Sequence, residues 1–184
     1  MSNELERGQL RAMLVKYSLR YGDFLLASGQ RSNVYIDAKL TTCRAEAMPL
    51  VGRLFLEKMK ELGLKPEAVG GLTLGADPIS MAVAHESNGQ VQAFIVRKES
   101  KQHGMQRYIE GLTETNGLKV VIIDDVCTTG DSTVKAIERA RLAGMEVLAA
   151  MCLVDRNGGA AESIQEKFSI PLHPIFTLVE MEAA

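Results

Sequence analysis

Two adjacent carboxylates, Asp124 and Asp125, directly follow the β-branched run Val120 to Ile123. Such a run reads as a short strand buried on both faces. Two acids at its end are costly to desolvate unless a cation or a donor-rich ligand answers them. After Val126 and Cys127 comes a turn of small residues, Thr128, Thr129, Gly130 and Asp131, with Ser132 and Thr133 opening an amphipathic helix. Unpaired N–H groups and the helix dipole converge at such a start and make an anion site. The hydroxyls of Thr128, Thr129, Ser132 and Thr133 add neutral donors that suit a phosphate monoester. Ordinary turn chemistry with Asp125 as a cap is the alternative. It leaves the acid pair unexplained.

Three other stretches could join that chemistry. The loop GGLTLGAD, Gly70 to Asp77, holds three glycines in eight residues and feeds a helix begun by Pro78. It allows close backbone approach to a ligand, or serves only as a tight turn. Arg97, Lys98, Lys101, His103 and Arg107 lie within eleven residues and follow no apolar period. They read as a solvated surface or, since long irregular segments are uncommon in compact domains, as an active-site lid. Arg156 follows Val154 and Asp155 at the end of another apolar run, where it faces either the ligand crevice or a salt-bridge partner such as Asp155.

The elements that must position these groups alternate. Helical spacing covers Leu5 to Tyr21, closed by Gly22, and short strands are expected at Phe24–Ala27 and Val34–Asp37, with Tyr35 in the core. A helix runs from Pro49 towards Leu62. Strands follow at Ala68–Leu72, Gln92–Val96, Lys119–Ile123 and Val147–Val154. Helices are expected at Ile79–Glu86 (with Asp77 and Pro78 as cap and first turn), Ser132–Ala143 and Ala160–Lys167, and an edge strand at Ile175–Val179. Strand and helix in alternation predict a parallel sheet with helices on both faces, and a ligand beyond the strands' C-terminal ends.

Composition narrows the function classes. The chain has 184 residues, 46% hydrophobic and 24% charged, with a formal net charge of −2. That balance gives no bulk attraction to nucleic acid or anionic membrane. The opening MSNELERGQL has no apolar core of a signal peptide, and the longest apolar run, Val147 to Val154, is too short to cross a bilayer. Cys43, Cys127 and Cys152 are unpatterned, as expected of thiols in a reducing cytoplasm, and Cys127 reads as a packing residue.

The stretch VVIIDDVCTTGDST resembles the phosphoribosyl-pyrophosphate (PRPP) signature of the type I phosphoribosyltransferases: hydrophobic run, acid pair, then T-T-G-x-S/T. The pattern R-K-E-x-K-x-H-G from Arg97 is similar to the mobile loop of the orotate phosphoribosyltransferases. G-x-F-x-L-x-S-G-x-x-S from Gly22 resembles their hood, with Ser28, Gly29, Arg31, Ser32 and Tyr35 at matching positions. The resemblance implies an α/β fold, a type I phosphoribosyltransferase-like open parallel sheet flanked by helices. Residues 1–184 would form one domain, with a small N-terminal hood made mainly by about residues 1–40.

It implies transfer of phosphoribosyl from PRPP to orotate, giving orotidine 5′-monophosphate and pyrophosphate on the route to UMP. PRPP would be bound by Thr73, Leu74, Gly75, Ala76, Asp77, Arg97, Lys98, Lys101 and His103, and by Asp124, Asp125, Val126, Cys127, Thr128, Thr129, Gly130, Asp131 and Ser132. Orotate would meet Ser28, Gly29, Tyr35, Thr128 and the guanidinium of Arg156. Asp124, Asp125, Lys101 and His103 would carry catalysis. Mg²⁺ would be held largely by PRPP, with no direct protein ligand and with Asp124 and Asp125 nearby. A cytoplasmic homodimer with shared sites is implied, without nucleic-acid or membrane partners. Ala27 and Gly75 stand where members often carry lysine. The alternatives are transfer to a purine or uracil, or a non-catalytic PRPP-binding regulator.

Overall fold

In the computed structural model, which describes residues 2–25, 31–99 and 108–183, the apolar runs become strands of one six-stranded sheet. Helix α1 (Ser2–Met13) passes through a π-helical turn, Leu14–Ser18, into an antiparallel hairpin of β1 (Leu19–Leu25) and β2 (Arg31–Ile36). The short α2 (Lys39–Thr42) and the long α3 (Met48–Glu61) follow. Then come β3 (Ala68–Leu72), α4 (Ala76–Glu86), β4 (Gln92–Val96), β5 (Ile109–Glu110) and β6 (Lys119–Cys127). The order closes with α5 (Asp131–Leu142), β7 (Glu146–Asp155), α6 (Ala160–Phe168), β8 (Leu172–Thr177) and α7 (Leu178–Glu182).

The sheet order is β5-β4-β3-β6-β7-β8, parallel except for the antiparallel edge strand β5. Successive side chains of a strand point to opposite faces, so β6 supplies two cores at once. Val121 and Ile123 join Met151, Leu153, Phe55 and Ile79 on the α3–α4 side. Val120 and Ile122 join Ala150, Cys152, Ile137 and Ile164 on the α5–α6 side. Helices on both faces are why the central strands read as unbroken apolar runs. Truncating a wholly buried Phe55 to Ala would cost about 3–5 kcal/mol.

The strands expected at Ala68–Leu72 and Gln92–Val96 form with those bounds. Other boundaries move, for tertiary reasons. The first helix does not reach Tyr21: Ser18 is buried against Thr41 (Oγ–Oγ1 2.7 Å) and Leu19 already pairs with Ile36. Gly22 lies in β1, where the hairpin register shifts between Tyr21 and Phe24, rather than ending a helix. Tyr35 is not a core residue. It is 43% exposed and lies 5.5 Å, centroid to centroid, from the Phe24 ring. Strand β6 continues past Ile123 to Cys127 because its last residues keep pairing with β7. The final strand ends at Thr177, where a capping box with Glu180 starts α7. Asp77 is not the cap of α4. Gly75 occupies that position, and Asp77 sits in the first turn, accepting a hydrogen bond from Thr73 Oγ1 at 2.6 Å.

Candidate active site

Because β3, β4, β6 and β7 run parallel, their C-terminal ends bring the loops after Leu72, Val96, Cys127 and Asp155 to one end of the sheet. Asp124 is only 5% exposed there. Its Oδ2 accepts from Thr133 Oγ1 at 2.7 Å, and its Oδ1 accepts from the Asp125 N–H at 3.0 Å. Burial, reinforced by the Asp125 charge, pushes the Asp124 pKa up to about 7, while the Thr133 and backbone bonds pull the other way. Asp125 is less enclosed. The Val126 N–H donates to its Oδ1 at 2.9 Å, and Lys39 Nζ stands 3.8 Å from its Oδ2. Cys127 is buried beside the acid, with Sγ 3.3 Å from Thr133 Oγ1. A hydrogen bond between the free thiols of Cys127 and Cys152, together with burial, pushes the Cys152 thiol well up. Cys152 packs wholly inside, while Cys127, also buried, borders the pocket described next.

The chain then turns through Thr128 and Thr129 to Gly130, whose φ of 83° is the left-handed conformation glycine tolerates best. Gly130 is the N-cap of α5, so the helix's first N–H groups open towards the crevice. A pocket of about 310 Å³ is lined by the loop from Val126 to Ser132, by Asp124 from below, and by Ile36 and Arg156 opposite. Arg156 makes no salt bridge with Asp155, whose Oδ1 accepts from the Asn157 N–H at 2.8 Å. Its Nη2 instead donates to Ser32 Oγ and Val34 O, both at 2.9 Å, tying the end of β7 to the hairpin. Burial holds the Arg156 pKa below the usual guanidinium value, with Glu182 acting against that shift.

The loop Thr73–Asp77 approaches from the other side. A Cβ on Gly75 would come 2.3 Å from Asp125 Oδ1, so the absence of a side chain there makes room for the acid. The Thr73–Leu74 peptide is cis, and Leu74 is 67% exposed. Thr73, Arg97 and Lys98 border a second, open hollow of about 460 Å³. Arg97 pairs with Glu110 across β4 and β5 at 3.1 Å. Arg139 on α5 donates to the carbonyls of Arg97 and Lys98 and stacks on Tyr108, which fixes the described ends of the basic segment. Ser28, Gly29, Lys101 and His103 lie outside the described residues, as do Ala27 and Arg107.

Two residues meet the acids in ways their local sequence does not show. The Thr133 hydroxyl, expected to open the helix and donate to a phosphate, instead donates to Asp124, nine residues back, because the first turn of α5 reaches the strand. Lys39 carried no motif at all, and only the hairpin's docking brings it to Asp125. Among the described residues no cluster of three or more His, Cys, Asp or Glu is arranged to hold a metal, and no helix is long and apolar enough to cross a membrane.

Known proteins resemble this chain in sequence and fold. The phosphoribosyl transferase domain family matches residues 45–179. The orotate phosphoribosyltransferase of Aquifex aeolicus is 44% identical over 183 residues, covering 96% of this chain and 98% of that one. That of Thermosynechococcus vestitus is 46% identical, covering 96% and 93%. The crystal structure of the Mycobacterium tuberculosis orotate phosphoribosyltransferase in complex with PRPP superposes with a TM-score of 0.81 at 32% identity, covering 96% and 99%. The chain belongs to the phosphoribosyltransferase family and, within it, to the orotate phosphoribosyltransferases.

Proposed function

We propose that this crevice transfers the phosphoribosyl group of PRPP to orotate, releasing pyrophosphate, in UMP synthesis. One observation supports the assignment of roles: Asp124, the hydroxyl-rich start of α5 and Arg156 meet around one pocket, and Asp125 is the next residue of the strand. The 5′-phosphate rests on the Thr128–Ser132 loop, where N–H groups and hydroxyls converge. Asp124 and Asp125 face the ribose and stabilise positive charge developing at C1. Arg156, already oriented by Ser32 and Val34, pairs its planar guanidinium with the orotate carboxylate. The Thr73–Asp77 backbone, Arg97 and Lys98 take the pyrophosphate, joined by Lys101 and His103. Catalysis is then positioning and electrostatics, with no covalent nucleophile.

The hard carboxylate oxygens suit Mg²⁺, but Asp124 is spent on Thr133 and the Asp125 N–H, and Asp125 faces Lys39. These two acids would therefore hold the ion from nearby, chiefly through PRPP. When bound, it supplies charge neutralisation on the leaving group. We further propose a cytoplasmic homodimer in which Lys101 and His103 serve the partner's acid pair. Mixing Lys101→Ala with Asp125→Asn chains should then restore about a quarter of wild-type activity, from random pairing into dimers with one intact site. No recovery would refute shared sites.

Base disappearance with PRPP and Mg²⁺ across orotate, uracil, adenine, hypoxanthine and xanthine tests the substrate. Orotate alone should turn over. Arg156→Ala should raise the orotate KM by a large factor, since losing a buried charged partner costs about 2–5 kcal/mol, and should leave PRPP nearly unaffected. Turnover of a purine or uracil in preference to orotate would overturn the assignment.

A further inference from the structure

The side of the crevice nearest the acid pair is short of positive charge. The loop Thr73–Asp77 offers Thr, Leu, Gly, Ala and Asp, with no cation among them. Asp77 faces back to Thr73, and Asp125 fills the space in front of Gly75. An anionic phosphate approaching this loop would meet two carboxylates first, and like charges repel in a partly buried site. Among the described residues one cation stands within salt-bridge distance of either acid, and it is Lys39.

The position of Lys39 is set by the fold. It begins α2, and its own N–H donates to Asp37 Oδ1 at 3.2 Å. Thr41, two residues on, is wholly buried and bonded to Ser18, which pins the helix to the π-helical turn. The ammonium sits 2.8 Å from Asp37 and a longer 3.8 Å from Asp125, and its side chain keeps 42% of its surface exposed. A cation pinned at its base, paired closely with Asp37 but loosely with Asp125, and partly open to solvent can exchange the looser carboxylate for a phosphate. Burial opposes its charge, but the Asp37 bond and the Asp125 field outweigh it and hold its pKa above the ordinary value. It therefore stays protonated wherever the enzyme would work.

We propose that Lys39 is a further substrate-contacting residue, whose ammonium binds the anionic pyrophosphate end of PRPP beside Asp125. One hairpin would then serve both substrates: Ser32 and Val34 of β2 orient Arg156 for the base, and Lys39, just after β2, meets the leaving group. The inference rests on PRPP being the donor, so its test includes a probe that needs no transfer.

Calorimetric titration of Lys39→Ala, Lys39→Gln and Lys39→Arg with Mg²⁺ and either PRPP or inorganic pyrophosphate reads the contact directly. Loss of one charged hydrogen bond should weaken both ligands about 10- to 100-fold in the Ala and Gln variants. The orotate KM at saturating PRPP should change by less than about twofold, and Arg should restore most of the affinity. Lys39→Gln keeps the stem, so it reports the charge even if the Ala variant packs poorly. Pyrophosphate and PRPP affinities within twofold of wild type in Lys39→Gln would overturn the proposal. So would equal losses for orotate and PRPP, which would mark Lys39 as merely structural. If the wild-type protein failed to turn orotate over, the substrate assignment would fall, while pyrophosphate binding would still decide Lys39.

Discussion

The centre of the sheet and its edge bring opposite charges to one end of the sheet and hold them in opposite ways. Asp124 is wrapped by Thr133, a backbone N–H and the buried Cys127 thiol, and its position is over-determined. Arg97, just after β4, leaves 41% of its side chain exposed, and its partner Glu110 is 40% exposed. In the enclosed site each polar contact acts in a low dielectric, so removing one is expensive. At the edge, water and salt screen the same kind of interaction to little. The acid end is built for precision and the basic edge for adaptability.

The largest effect that could break this contrast comes from the acids. Asp124→Asn with Asp125→Asn should lower turnover by orders of magnitude, about 10²–10³ for each group, while circular dichroism stays native. Near-normal turnover in the folded double variant would make the pair structural. Asp124→Asn alone should also change the dependence of stability on pH. The Asp124 pKa rises from 3.8 to about 7 on folding, so between those values the folded protein binds more protons than the unfolded chain. Wild-type stability therefore falls as pH rises through that window and levels off above it. The Asn variant lacks this loss, so its melting advantage should grow from pH 5 to pH 8. A constant difference across that range would mean the acid is not enclosed as described.

A smaller effect sharpens the comparison at Thr133. Thr133→Val removes the donor to Asp124 Oδ2, and an unsatisfied buried acceptor costs about 1–3 kcal/mol of stability. Because that bond favours the charged acid, its loss should also move the rising limb of the pH–rate profile to higher pH. Thr133→Ser should restore the limb. A Val variant with a wild-type profile would show that Thr133 packs without positioning.

The smallest expected effect is at the edge. Arg97→Ala should change stability by no more than about 1 kcal/mol, because its ion pair with Glu110 is largely solvated. Urea unfolding at low and moderate salt measures it. A loss above about 2 kcal/mol would place the edge in the same class as the centre.

The acid pair, the phosphate loop and the order of strand and helix were legible from residue type and spacing. Val120 to Ile123 reads as a strand covered on both faces, and an acid pair followed by a hydroxyl-rich helix start is a local signal that needs no partner. The capping-box spacing of Thr177 and Glu180 is also a local signal, and it ends the last strand at Thr177 rather than at Val179. What local spacing does not contain is which distant surface meets which. The end of the first helix at Ser18 depends on Thr41, and the extension of β6 to Cys127 depends on β7. Arg156 meets Ser32 across 124 residues of chain, and Lys39 reaches Asp125 only because the hairpin and α2 dock over the strand ends. Sequence by itself determined the chemistry available at each strand end, since that is a property of consecutive residues. Tertiary structure alone decided how those ends combine, because side chains far apart in sequence acquire a fixed distance only when both are anchored to a packed core.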